Sequence, residues 1–155
     1  MTKIYVASSW RNQLQPHVVN YLRAHGHEVY DFRNPEEGDN GFHWSEIDPE
    51  WKTWTPEKYR ECLSHPVAER GFKSDFDAMK WADVFVGVMP FGRSASIEMG
   101  WASGQKKKTI LLLEDGEPEL MVKCFDHICC DLHEIVKILH NQSRHSDAKQ
   151  PRRCA

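Results

Sequence analysis

The run DVFVGVM, residues 83–89, is apolar almost without interruption and lies between two stretches of helical period. A strand of that kind has no face to give to water, so it belongs inside a parallel sheet covered by helices on both sides. The rest of the chain repeats the alternation. KIYVASS (3–9) reads as a first strand, and Leu14, Val18, Tyr21, Leu22 and His25 recur at helical spacing before Gly26, a residue suited to a helix C-terminus. HEVYDF reads as a second strand, and residues 71–81 as a helix before the third strand at 83–89. Ala95 to Gln105 reads as a helix, KTILLL as a fourth strand, HICC as a buried fifth and LHEIVKILH as a closing helix. Strands alternating with helices define an α/β three-layer sandwich. Right-handed crossovers leave few topologies, of which the flavodoxin-like five-stranded parallel order 2-1-3-4-5 fits best. In that order the first and third strands are neighbours. Ligands are then expected beyond their C-terminal ends, at the loops SSWRN and PFGRSAS.

At 155 residues the chain accommodates one such domain, here assigned to 1–143, with a polar basic tail at 144–155 expected to be mobile. A formal net charge of −3 gives no electrostatic reason for binding a nucleic acid polymer or a membrane surface. No apolar run reaches the roughly 18 residues of a membrane span, and MTKIYVASSW lacks the build of a signal peptide. Five cysteines without a regular framework suit a reducing compartment, so a cytoplasmic protein is expected. Cys124, His127, Cys129, Cys130 and His133 crowd together but lack a second separated ligand pair, so no metal site is assigned.

Residues 34–70 fall outside the alternation. They hold nine acids against four bases, together with Trp44, Trp51 and Trp54. That much aromatic surface argues for order, with a short helix near TPEKYRECL. Two readings stand for this insertion, a cover over the strand-end crevice and a surface for a partner.

No GxGxxG, GxxxxGK[ST] or GxSxG motif appears, which removes the main support for dinucleotide redox chemistry, a P-loop NTPase or a serine hydrolase. Carboxylates remain. On the helix at 71–81, Phe72, Phe76 and Met79 share a stripe that includes Asp75, while Asp77 points away. An acid on a buried stripe is paired, protonated or functional. Glu98 is expected in the first turn of its helix, capped by Ser94 or Ser96, where the helix dipole favours the ionised form. Arg11 and Arg93 follow the two neighbouring strands. With Ser8, Ser9, Ser94, Ser96 and two helix N-termini they suit a phosphate.

These residues resemble the nucleoside 2-deoxyribosyltransferase family and its branch of 2'-deoxynucleoside 5'-phosphate N-hydrolases. Tyr5 in KIYVASSWRN matches the family's first-strand tyrosine, and SWR resembles a phosphate-contacting triplet. SDFDAMKWADVFV puts Asp75 in the place of the active-site aspartate. SIEMGWASGQKKKTILLL puts Glu98 in the place of the nucleophile. The likeness frames residues 1–32 and 71–113. It implies cleavage or transfer at the N-glycosidic bond of a nucleotide or nucleoside, with Glu98, Asp75 and Tyr5 catalytic. Ser8, Ser9, Trp10, Arg11, Asn12, Gly92, Arg93, Ser94 and Ser96 would bind substrate. No cofactor is implied, and a homodimer or larger homo-oligomer is. Gly92 departs from the family, which carries an acid or a serine six residues before the nucleophile, and the insertion exceeds the usual connection. Two other readings remain: a nucleotide-binding module without turnover, and cleavage of NAD by a TIR-like enzyme.

Overall fold

The computed structural model describes residues 1–147. By contacts the chain divides into two compact units, Met1–Val29 with the chain from Ala82 onward, and Tyr30–Trp81. The first unit is built on strands β1 (Lys3–Ala7), β2 (from Glu28), β3 (Val84–Val88), β4 (Lys108–Leu112) and β5 (His127–Cys129). Their order is 2-1-3-4-5, as expected, and the register runs in parallel from Ile4↔Val84 to Ala7↔Gly87 and from Val84↔Lys108 to Val88↔Leu112. β2, which ends at Tyr30, is shorter than HEVYDF suggested.

Alternation along the strands sorts the core into two layers. Ile4, Val6, Val84, Val86, Val88, Ile110 and Leu112 pack with Val18 and Leu22 of α1 (Gln15–Ala24) and Ile135 and Leu139 of α5 (Leu132–Asp147). Each such side chain, fully buried, contributes roughly 1.5–3 kcal/mol. Tyr5, Ala7, Phe85, Gly87 and Leu111 fall on the opposite face by the same alternation. That face takes α4 (Arg93–Gly104), whose Ala95, Met99 and Ala102 are fully buried. A Cβ on Gly87 would lie 2.7 Å from the Phe91 ring and 3.0 Å from Met99 Cε, so only glycine lets the segment after β3 fold back so closely.

The closing helix and the fifth strand differ from the sequence reading. α5 continues past residue 143 to Asp147, and the remainder of the expected tail lies outside the described residues. β5 is buried only at Cys129, because Ile128 is 42% exposed and Cys130 is exposed. Among the described residues no helix is long and apolar enough to cross a membrane, and no group of three His, Cys, Asp or Glu side chains could hold a metal ion.

The second unit holds α2 (Pro56–Cys62), capped by Thr55 accepting from the Lys58 amide, and α3 (Pro66–Trp81). Its insertion is ordered around Trp44, whose ring meets Phe42, Trp54 and Tyr59 edge-on with centroids at 4.7, 5.6 and 5.7 Å. The Trp54 indole N–H donates to Asp48 Oδ2 at 2.7 Å and pulls the Asp48 carboxyl below its usual range. α3 begins five residues earlier than the expected 71. Phe72 is 64% exposed, stacked on Phe76, so it does not centre the buried stripe. Ala78 and Met79 do, and they leave Asp75 half-buried one turn before Met79.

Candidate active site

The C-terminal ends of β1 and β3 lie side by side, and buried side chains lace their loops together. Ser8 Oγ donates to the Val88 carbonyl at 2.8 Å. Asn12 Nδ2 donates to the carbonyls of Val88 and Met89 at 3.1 and 3.0 Å, while its Oδ1 accepts the Leu14 amide. Each of these bonds is worth on the order of 1 kcal/mol, and together they fix the loop before α1 against the loop before α4. Position 92 is close to the same seam, since a Cβ there would sit 3.7 Å from Ser9 Oγ. Ser8 and Asn12 thus have donors committed to bracing. Ser9 accepts the Arg11 amide at 3.2 Å.

The groups open to solvent at these loops are Trp10, Arg11, Arg93, Ser94 and Ser96. No ion pair among the described residues involves Arg11 or Arg93. Both guanidiniums are exposed, one on each loop.

The start of α4 corrects the sequence reading. Gly92 is its N-cap, without a side-chain cap, and neither Ser94 nor Ser96 takes that place. The Ser96 hydroxyl instead turns back to the Gly92 carbonyl at 3.3 Å. Glu98 therefore lies five residues beyond Arg93, outside the first turn, where the helix dipole has largely faded. What distinguishes Glu98 is its burial. It is half-buried and precedes Met99, which is fully buried against the sheet face that carries Tyr5. Tyr5 is itself wholly buried and stacked on Phe85 with centroids 5.0 Å apart.

Asp75 belongs to the second unit. Its Oδ1 accepts a hydrogen bond of 2.8 Å from the Tyr30 hydroxyl, which also lies 2.9 Å from Ser74 Oγ. Burial raises the Asp75 pKa to about 6; the Tyr30 bond opposes this rise, and the Asp39 charge reinforces it. Burial and the Asp75 carboxylate push Tyr30 beyond its ordinary range. Asp77, by contrast, is held at about 2 by hydrogen bonds from Lys73 and Lys80 and has a structural task on the surface. Asp75 lines a cavity walled by Tyr30, Phe32 and Phe42, with Arg70 among its polar lining. A Cβ on Gly71 would lie 2.9 Å from three atoms of Phe42, so that glycine lets the insertion lie flat on α3. Tyr30, Asp39 and Arg70 escaped the sequence reading. The one available signal for Tyr30 was its place at the end of an apolar strand.

No family model matches the chain, and no curated protein matches it. Solved structures do. A 2-deoxyribosyltransferase from Bacillus psychrosaccharolyticus superposes with a TM-score of 0.57 at 22% identity, over 86% of this chain and 89% of that one. A CMP N-glycosidase from Clostridium botulinum gives a TM-score of 0.48 at 21% identity, over 89% and 99% of the two chains. The first of these likenesses shares the flavodoxin-like α/β fold read above.

Proposed function

We propose that this protein is an enzyme that cleaves, or transfers across, the N-glycosidic bond of a small nucleotide or nucleoside. The placement of Glu98 carries the reading: a half-buried acid next to the buried Met99, on the helix that opens after the third strand of a 2-1-3-4-5 sheet. That is where sheets of this order bind ligands. The fold shared with the Bacillus deoxyribosyltransferase supports it. A Glu98 oxygen attacks C1' of the sugar and the C–N bond pair leaves with the base, as in retaining glycosidases. Asp75 supplies a proton to the departing base, a task suited to a carboxyl raised to about 6. Tyr5 positions Glu98. Water or a second base then attacks C1' and frees the carboxylate. Arg11 and Arg93, exposed and outside the ion pairs, hold a 5'-phosphate, with Ser9 and Ser94 adding hydroxyls, and Ser96 joins them only by giving up its bond to the Gly92 carbonyl. A homo-oligomer is part of the reading, checked by light scattering.

The test is a panel of deoxynucleotides, ribonucleotides, nucleosides and NAD, assayed for free base. Monophosphates should exceed nucleosides, and Glu98→Gln should abolish release while leaving the fold intact. A 2'-fluoro substrate analogue should trap a covalent adduct on the peptide 91–105. Wild-type rates in Glu98→Ala refute the mechanism. Binding without product points to a nucleotide-binding module, and free nicotinamide points to NAD cleavage.

A further inference from the structure

The cavity beside Asp75 has a chemistry of its own. It offers about 80 Å³, where one water needs roughly 10–15 Å³. Aromatic side chains of Tyr30, Phe32 and Phe42 line it, a setting for a planar ligand. The Tyr30 proton goes to Asp75 Oδ1 at 2.8 Å, so the Ser74 hydroxyl is the donor in its 2.9 Å contact with the Tyr30 oxygen. Asp75 Oδ2 makes no hydrogen bond among the described residues. A proton held by this carboxyl therefore sits on Oδ2, while Oδ1 keeps a second lone pair. The carboxyl presents a donor and an acceptor side by side.

We infer that the cavity selects a heterocycle with an amidine edge, a ring nitrogen next to an exocyclic amino group, and that Tyr30 positions Asp75 for it. Oδ2–H meets the ring nitrogen and Oδ1 accepts from the amine. A lactam edge, N–H beside C=O, can also make two hydrogen bonds, but it cannot take the proton. The amidine edge can, giving a bidentate amidinium–carboxylate pair of the stronger, charge-assisted kind. Asp39 and Glu46, also lining the cavity, favour the cation so formed, against the single guanidinium of Arg70. This deepens the N-glycosidic reading, on which its catalytic consequence rests. The proton passes from Oδ2 to the ring nitrogen, the C–N bond pair follows to the ring, and the base leaves neutral. Asp39, Glu46 and Phe42 come from the 34–70 insertion, so selectivity would be a property of this chain's added segment.

The experiment compares free cytosine with free uracil, equal in size and different at this edge, by calorimetry at pH 6. The wild-type protein should favour cytosine by tenfold or more, and Asp75→Asn should reduce the preference to less than threefold. Tyr30→Phe should lower it several-fold and move the carbon-13 titration of the Asp75 carboxyl to higher pH, which a merely structural tyrosine would not do. Cytosine binding should weaken as pH rises above 7, and uracil binding should not. Glu98→Gln should keep the full preference. Equal binding of the two bases, tighter uracil binding, or no binding of either at millimolar concentration overturns the inference. Cleavage of amino and oxo nucleotides at equal rates overturns it while leaving the N-glycosidic reading intact. A tenfold cytosine preference in a protein that cleaves nothing does the reverse.

Discussion

Asp75→Asn should make the fold more stable at neutral pH while it slows the proposed reaction. Burial raises this carboxyl from 3.8 to about 6. That is roughly 2 units, and at 1.36 kcal/mol per unit the ionised group costs the folded state about 3 kcal/mol above pH 6. Below the unfolded value of 3.8 both states hold the proton, and the cost vanishes. Between those limits the folded chain binds a proton that the unfolded chain has lost, so stability falls as pH rises through 6. Asparagine keeps an acceptor for the Tyr30 hydroxyl and carries no charge, at the expense of burying an amide. The expected gain is about 1–3 kcal/mol at pH 8 and close to zero at pH 3.5. Urea unfolding followed by tryptophan fluorescence suits the measurement, because Trp44 and Trp54 lie in the same compact unit as Asp75. A difference independent of pH, or an asparagine variant less stable at pH 8, would refute the reasoning. A gain in stability with a loss of turnover is the trade-off expected where a strained charge serves chemistry.

The remaining expectations concern other residues. His27 is buried with neither ring nitrogen bonded among the described residues, and burial lowers its pKa, helped by the N-terminus, His140 and His25. Its neutral form stabilises the fold above the unfolded value of 6.5, and that contribution is lost as pH falls through the lower folded value. Thermal melts should therefore drop more steeply below pH 6.5 in the wild type than in His27→Gln; parallel curves would count against this. Gly71→Ala should destabilise the second unit by about 1–2 kcal/mol, overpacking against Phe42 outweighing the helix preference for alanine. Gly100→Ala, with nothing within 4 Å of the added methyl, should instead stabilise the protein by about 0.5–1 kcal/mol. Opposite signs in urea midpoints bear this out; like signs reject it.

The sheet was legible because its central strand has no polar face. Val84, Phe85, Val86 and Val88 admit one environment, and neighbours patterned alike leave little choice of order. Helix starts were less legible. Ser94 and Ser96 have the chemistry of caps, yet Gly92 holds that place at the Ser9 seam, a long-range proximity that no local pattern encodes. α3 hid its first turn because Pro66 and Glu69, ordinary helix-start residues, stand inside a stretch assigned to the insertion. The spacing of Asp75 to Met79 marks it even though Phe72, assigned to the same stripe, faces solvent. Its partner Tyr30 is 45 residues away, and only folding pairs them.

The two units therefore carry different kinds of information. In the first, bracing is internal: Ser8 and Asn12 tie one strand end to the next, and Gly87 admits Phe91. Those ties brace the seam between neighbouring strand ends, in a fold shared at 22% identity. In the second, the cavity joins Tyr30 and Asp75 to the insertion residues Asp39, Phe42 and Glu46. Nothing in the sheet order demands them. A fold comparison accordingly bears on where a ligand enters such a sheet, while the ligand's chemistry has to be sought in residues the fold leaves free. That is why Tyr30→Phe, a change of one oxygen outside the first unit, separates selectivity from folding more cleanly than any substitution along β1 or β3.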